Sequence, residues 1–271
     1  MTTPMRISAP WNRSASALVM LISRSELRLD MARCSFVTVE LARFSDLKSM
    51  EGIDTRATAG HPRMWAVGAD EPDANVEFGA QKAFTWIGFG LHDDERSAVE
   101  LFDAGDDAAP CFAGADERWS GVLQPFNHRG EVNWLDPDEP GPVLSSGPIP
   151  ADGEPFAVIT SVGWTLDDRF DADKATDFGR GVLEVRASMD SVDGLLSHQT
   201  FGFPGNLDVD GATVTFWRDD AAMRAFAYRP GIHKTEMDRY RERDTADRTS
   251  FTRLRVLRSR GSVNGTNPVV T

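Results

Sequence analysis

The sequence predicts an α+β chain made of two ferredoxin-like halves in tandem, and three observations lead there. The 271 residues are about 1.8 times the ~150 of a typical domain. A Pro/Gly-rich break, with Pro137, Pro140, Pro142, Pro148, Pro150 and Pro155 around Gly141 and Gly147, marks a boundary near residue 150. The elements after that break fall in the order β-α-β-β-α-β, the ferredoxin-like arrangement. A hydrophobic fraction of 41% with 26% charged residues is an ordinary globular mixture and excludes global disorder.

The elements of the second half, 156–260, can be taken in turn. Phe156-Ala157-Val158-Ile159-Thr160-Ser161-Val162 is strand-like, and Asp171 to Met189 has helical spacing. Leu195 to Phe203 is extended until Pro204-Gly205 turns it, and Gly211 to Trp217 is rich in β-branched and aromatic residues. Asp219 is placed to cap a helix whose apolar face is Met223, Phe226 and Ala227, interrupted by Pro230-Gly231. A second helical piece runs from Ile232 to about Arg243, and Phe251 to Leu257 is the last strand, with Phe251, Leu254 and Val256 for packing.

In the first half, 31–120, Ser35 to Leu41 and Ala83 to Phe89 read as strands, with His61 to Val67 and a loop between them. We read this half as a degenerate copy of the second, residues 121–155 as an acidic Pro/Gly-rich linker and 261–271 as a tail. Residues 1–30 read as an N-terminal extension before a start at Met31. Their apolar run, Ala17 to Ile22, is too short for a targeting segment and is followed by Glu26 and Asp30. No stretch approaches the ~20 apolar residues that cross a bilayer. Cys34 and Cys111 form no disulfide framework or C-x-x-C pair, which suits a reducing, cytoplasmic setting.

Charge narrows the partners. The net charge is -13, and residues 92–154 alone carry fifteen Asp or Glu against three Arg. Such acidity disfavours nucleic acid. Residues 239–260 carry eight Arg against Glu242, Asp244 and Asp247, so that end is locally basic and suits at most a peripheral contact with an anionic membrane surface.

Common catalytic patterns are absent. Gly88-Phe89-Gly90 lacks the third glycine of a dinucleotide loop. His92-Asp93-Asp94 matches the H-x-D opening of a non-haem iron facial triad, but reads better as a solvated loop entering the acidic stretch. His61 and His128 read as loop residues, and His198 as a hydrogen-bonded core or edge histidine. His233 is more constrained. It opens the helix after Pro230-Gly231, and helical spacing places Met237 and Tyr240 on its face, which should point inward. A helix N-terminus keeps an imidazole neutral, fit to bind a metal or act as a base, so a packed core histidine and a ligand are both open readings. The preceding strand should aim Thr215 and Trp217 to one side, as a pocket wall or as core.

Gly194-Leu195-Leu196, Thr213 to Asp219, Ala222 to Tyr228, His233, Phe251 to Leu257 and the tail Gly261 to Pro268 resemble the C-terminal half of the spheroidene monooxygenase family of carotenoid biosynthesis. Arg118 to Val122 and Pro125-Phe126 are also similar to it, whereas residues 31–117 match thinly. The resemblance implies a dimeric α/β-barrel type of fold and an oxygen-dependent, haem-containing monooxygenase that acts on an apolar substrate to give a keto carotenoid. It implies His233 as axial haem ligand, Trp217 as pocket wall, and Arg224 and Arg229 as partners of the haem propionates. Molecular oxygen would be the co-substrate, and an electron donor is required that no motif identifies. The chain departs from the family at Phe201-Gly202-Phe203-Pro204 and at Val263, which leaves a carotenoid or another apolar metabolite as substrate. The alternative is a cofactor-free α/β-barrel that binds small apolar ligands.

Overall fold

The alternation of Val37, Val39 and Leu41, all at most 1% exposed, already states the plan: one face of each strand turns into a closed interior. The computed structural model describes residues 33–44, 64–68, 85–105, 112–130, 143–144, 146–202, 211–243 and 245–269. The N-terminal extension, the proposed start at Met31, His61 and Cys111 lie outside them.

In chain order the elements are β1 (Arg33–Cys34), β2 (Phe36–Arg43), β3 (Met64–Gly68), β4 (Thr85–His92), α1 (Glu95–Ala104), β5 (Glu117–Gly130), β6 (Val143–Leu144), β7 (Phe156–Gly163), α2 (Ala172–Met189), β8 (Leu195–Gly202), β9 (Gly211–Trp217), α3 (Asp220–Tyr228), α4 (Ile232–Arg243) and β10 (Arg248–Gly261). Eight strands close an antiparallel barrel in the order β10-β5-β2-β4-β3-β8-β9-β7, and β1 pairs with β6 in a short parallel ribbon. Within each half the neighbours run fourth, first, third, second strand: β5-β2-β4-β3 and β10-β7-β9-β8. That is the ferredoxin-like order twice over, and the halves meet at β10–β5 and β3–β8.

The symmetry extends to single residues. Both fourth strands, β5 and β10, end on a glycine at positive φ, 86° at Gly130 and 82° at Gly261. A Cβ on Gly130 would stand 2.0 Å from the Thr249 carbonyl oxygen, and one on Gly261 the same 2.0 Å from that of Arg118. Thr249 and Arg118 are the second residues of their own strands, so each half closes over the other with one device.

The barrel is filled by its own side chains. Trp119 packs edge-on against Phe216 with ring centroids 5.0 Å apart, and Phe89, Phe201, Ile159 and Leu254 join the same cluster. Each such aromatic or aliphatic side chain contributes roughly 1.5–3 kcal/mol by burial. The tail belongs to this core: Val263 is 3% exposed, and the Trp119 indole N–H donates to Asn267 Oδ1 at 3.2 Å.

The acidic stretch departs in part from expectation. Asp93 and Asp94 are exposed in the loop expected there, whereas His92 is buried at the end of β4, and Glu95–Ala104 is a helix: Asp94 caps it by accepting from the Ser97 amide at 2.8 Å, Ala98 and Phe102 are buried, and Gly105 ends it. Glu117–Gly130 is one strand, so the boundary drawn at 120/121 falls inside β5 and residues 121–130 belong to the first half's sheet, not to a linker.

Candidate functional site

A second apolar layer lies on the outside of the barrel, between the second half's sheet and α3. Phe156, Val158 and Trp217 face outward from β7 and β9, Phe126 comes from β5, and Ala222, Met223 and Ala227 close over them from α3. Alternation forces the arrangement, because Ala157, Ile159, Val214 and Phe216 point into the barrel. Asp219 starts α3 by accepting from the Ala222 amide at 2.7 Å, as its position suggests.

Trp217 and Thr215 share that outer face. The Trp217 indole N–H donates to Thr215 Oγ1 at 2.8 Å, and the hydroxyl donates on to the Val158 carbonyl at 3.4 Å, which fixes the ring. Phe226 of α3 packs at a tilt against Trp217, with centroids 5.5 Å apart, and against His233 at 4.7 Å. The three rings form a run from the sheet to the helix pair, with Phe226 in the middle.

His233 therefore sits in this outer layer, not facing the barrel core. No residue of α4 is fully buried, because the helix packs on α2 and α3 and not on the sheet. Tyr240 lies against Phe178 of α2 at 5.3 Å, Arg243 bridges to Asp177 at 2.6 Å and Arg239 bridges to the same carboxylate, so α4 is held from one side. The His233 Nδ1 lies 3.3 Å from the Ala227 carbonyl oxygen. A carbonyl only accepts, so Nδ1 carries the proton and Nε2 the lone pair. Burial holds the imidazole pKa below its ordinary value, which keeps the ring neutral.

One residue of the layer escaped the sequence reading. Arg253 of β10 projects under α3 with its guanidinium 5.0 Å from the rings of both Phe126 and Phe156, and it pairs with Asp220 in the first turn of α3. Its Nε–H is buried without an acceptor, and burial pulls its pKa down. Alternation was the available signal, since Arg253 shares parity with Phe251, whereas Leu254 points into the barrel.

The remaining candidates lie elsewhere. Arg224 has a 64% exposed side chain and faces Asp220 at 3.8 Å, and Arg229 is exposed at the end of α3. His92 is buried at the end of β4, with Nε2 3.1 Å from Thr38 Oγ1, and Asp94 is spent on the α1 cap, so the H-x-D reading falls. Among the described residues no group of three His, Cys, Asp or Glu side chains is arranged to hold a metal. His128 donates from Nε2 to the Gly130 carbonyl at 3.1 Å and meets Thr252 Oγ1 at 2.9 Å, and His198 meets Asp190 at 3.0 Å. A cavity of about 360 Å³ lined by Gly105, Arg118, Ser120, Arg260 and Gly261 lies at the β5–β10 seam, beside the buried Glu40, which accepts from Arg118 at 2.9 Å and Ser120 at 2.6 Å.

No family model matches the chain, and no curated protein does. Among solved structures, an aldoxime dehydratase is similar at 10% identity and a TM-score of 0.52, over 82% of each chain. A second aldoxime dehydratase, in complex with butyraldoxime, gives 11% identity and 0.53 over 82% of this chain and 80% of that one. SnoaB from Streptomyces nogalater, a cofactor-independent oxygenase, is a looser match at 12% identity and 0.28, over 42% of this chain and 96% of its own. Likeness at this identity shows the fold alone.

Proposed function

We propose that the chain is an oxygen-dependent monooxygenase acting on an apolar substrate, with haem held through Nε2 of His233. The observation that carries this reading is the His233–Ala227 contact: a neutral imidazole whose Nδ1–H is anchored on a backbone carbonyl is how metal-bound histidines are oriented. Nε2 of His233 would be the atom that holds a haem iron. The resemblance to spheroidene monooxygenases supports the same residue, and a keto carotenoid is the product class it favours.

Haem, when bound, supplies the oxygen activation that no side chain in this layer provides. The chain supplies the rest. Trp217, Phe226 and Met223 form an apolar layer beside His233 against which a polyene end would lie, and Arg253 beneath them keeps a buried Nε–H without an acceptor. The barrel interior is filled by Trp119, Phe216 and their neighbours, which supports a ligand position outside it, beside His233.

The test is turnover of an apolar polyene under labelled dioxygen with a supplied reductant. Label in a keto product supports the reading. A colourless protein that binds the polyene and returns it unchanged would favour the cofactor-free binding barrel instead.

A further inference from the structure

Two of the large hydrophobic side chains that the described residues leave exposed flank one turn: Tyr228, 51% exposed, ends α3, and Ile232, 38% exposed, begins α4. Pro230-Gly231 separates them, and His233 follows directly. No acidic residue occurs from 221 to 235, although the net charge is -13, while Arg224, Arg229 and Lys234 fall inside that stretch. Arg224 faces Asp220, and Lys234 pairs with Asp238. Arg229 is exposed and has no ion-pair partner among the described residues.

An aromatic and an aliphatic tip with an unpaired guanidinium between them match the interface of an anionic bilayer, where apolar groups enter the acyl boundary and cations meet phosphate. We propose that the α3–α4 turn docks on an anionic lipid surface through Tyr228, Ile232 and Arg229, and that the apolar substrate passes from the bilayer across this turn to His233. The second clause rests on the proposed function; the docking itself does not. The nearest acids, Asp220, Glu236 and Asp238, flank the turn and do not lie within it. Repulsion of the acidic residues elsewhere in the chain from an anionic surface favours an edge without acids, such as this turn.

The experiment is co-sedimentation of the full chain with phosphatidylcholine vesicles made with and without phosphatidylserine. Wild type should partition to the phosphatidylserine vesicles about five-fold more strongly. Arg229→Glu should remove that preference, and Tyr228→Ser combined with Ile232→Ser should abolish binding, with thermal midpoints unchanged because all three side chains are exposed. Leu166→Ser, at a distant residue 59% exposed, should change nothing. Absent binding, equal binding by the turn variants, or an equal loss in Leu166→Ser would overturn the proposal. So would a wild-type dimer that the Tyr228/Ile232 variant dissolves, since the turn would then be a self-association face. A His233-dependent haem spectrum without vesicle binding removes only this proposal, and vesicle binding without such a spectrum removes only the enzymatic reading.

Discussion

His233 and Ala227 are joined across the α3–α4 turn by a hydrogen bond of 3.3 Å from the imidazole Nδ1 to the backbone carbonyl. The bond closes over Pro230-Gly231, which ends α3 and frees the carbonyl of its last turn to accept. One contact thus sets the tautomer, the ring's orientation against Phe226 and the angle at which α4 leaves α3.

A pH dependence follows. Burial lowers the His233 pKa in the folded chain, whereas the unfolded chain titrates near about 6.5. Between those values the unfolded state binds more protons, so stability is full above the unfolded pKa and falls as pH drops below it. His128, also lowered by burial, acts in the same direction. The thermal midpoint should fall on acidification below neutral, and His233→Gln should flatten part of that slope. Identical slopes for the two proteins would contradict the buried, neutral imidazole.

Arg253 separates a structural role from a ligand-facing one. Its partner Asp220 is 50% exposed, so the ion pair itself is worth no more than about 1 kcal/mol. Arg253→Met, which keeps the filling between Phe126 and Phe156, should change the unfolding free energy by no more than about that amount, as measured in denaturant. Arg253→Ala should cost more, about 2–3 kcal/mol, through lost packing. A loss above roughly 3 kcal/mol in the Met variant would mean that the guanidinium is retained as a buried structural ion.

The filled barrel makes its own prediction. Phe216 is fully buried against Trp119, so Phe216→Ala should destabilise by about 3–5 kcal/mol and open a cavity inside the barrel. A cost below about 1 kcal/mol would show that the interior is loosely packed and able to accept a ligand.

The paired glycines give a controlled comparison. Gly261→Ala and Gly130→Ala each force a Cβ against a carbonyl oxygen at a positive φ, and each should cost well over about 1 kcal/mol. Gly153→Ala has a similar φ of 84° but nothing within 4 Å, so it should cost only the left-handed strain of about 1–2 kcal/mol. Equal losses in thermal melts would deny the close approach at the barrel seam.

The second half was legible because its signals are local. Asp219 caps where a cap is expected, β-branched runs mark β7 and β9, and Pro230-Gly231 splits the helical region. The first half was legible only at β2 and β4, for a physical reason. The acid-rich surface of α1 hides the burial of Ala98 and Phe102, and β5 combines Glu117, Arg118, Gln124, Asn127 and Arg129 with its core residues because only part of each face is covered. Closure of the barrel followed from the tandem halves and the family resemblance and not from local signals, since strand pairing such as β10 with β5 depends on residues more than 100 positions apart. In the site, Trp217, Thr215 and His233 could be placed from spacing, but an inward-facing α4 could not survive its packing against α2. Arg253 was masked by the many arginines around it, because only the helix above the strand distinguishes it from Arg255 and Arg258.

The most direct measurement is the visible absorption spectrum of the full chain, purified after expression with haem supplied, beside that of His233→Ala. The account predicts a Soret band in the wild type that is lost or strongly shifted in the variant. No band in the wild type, or an unaltered band in His233→Ala, would contradict it.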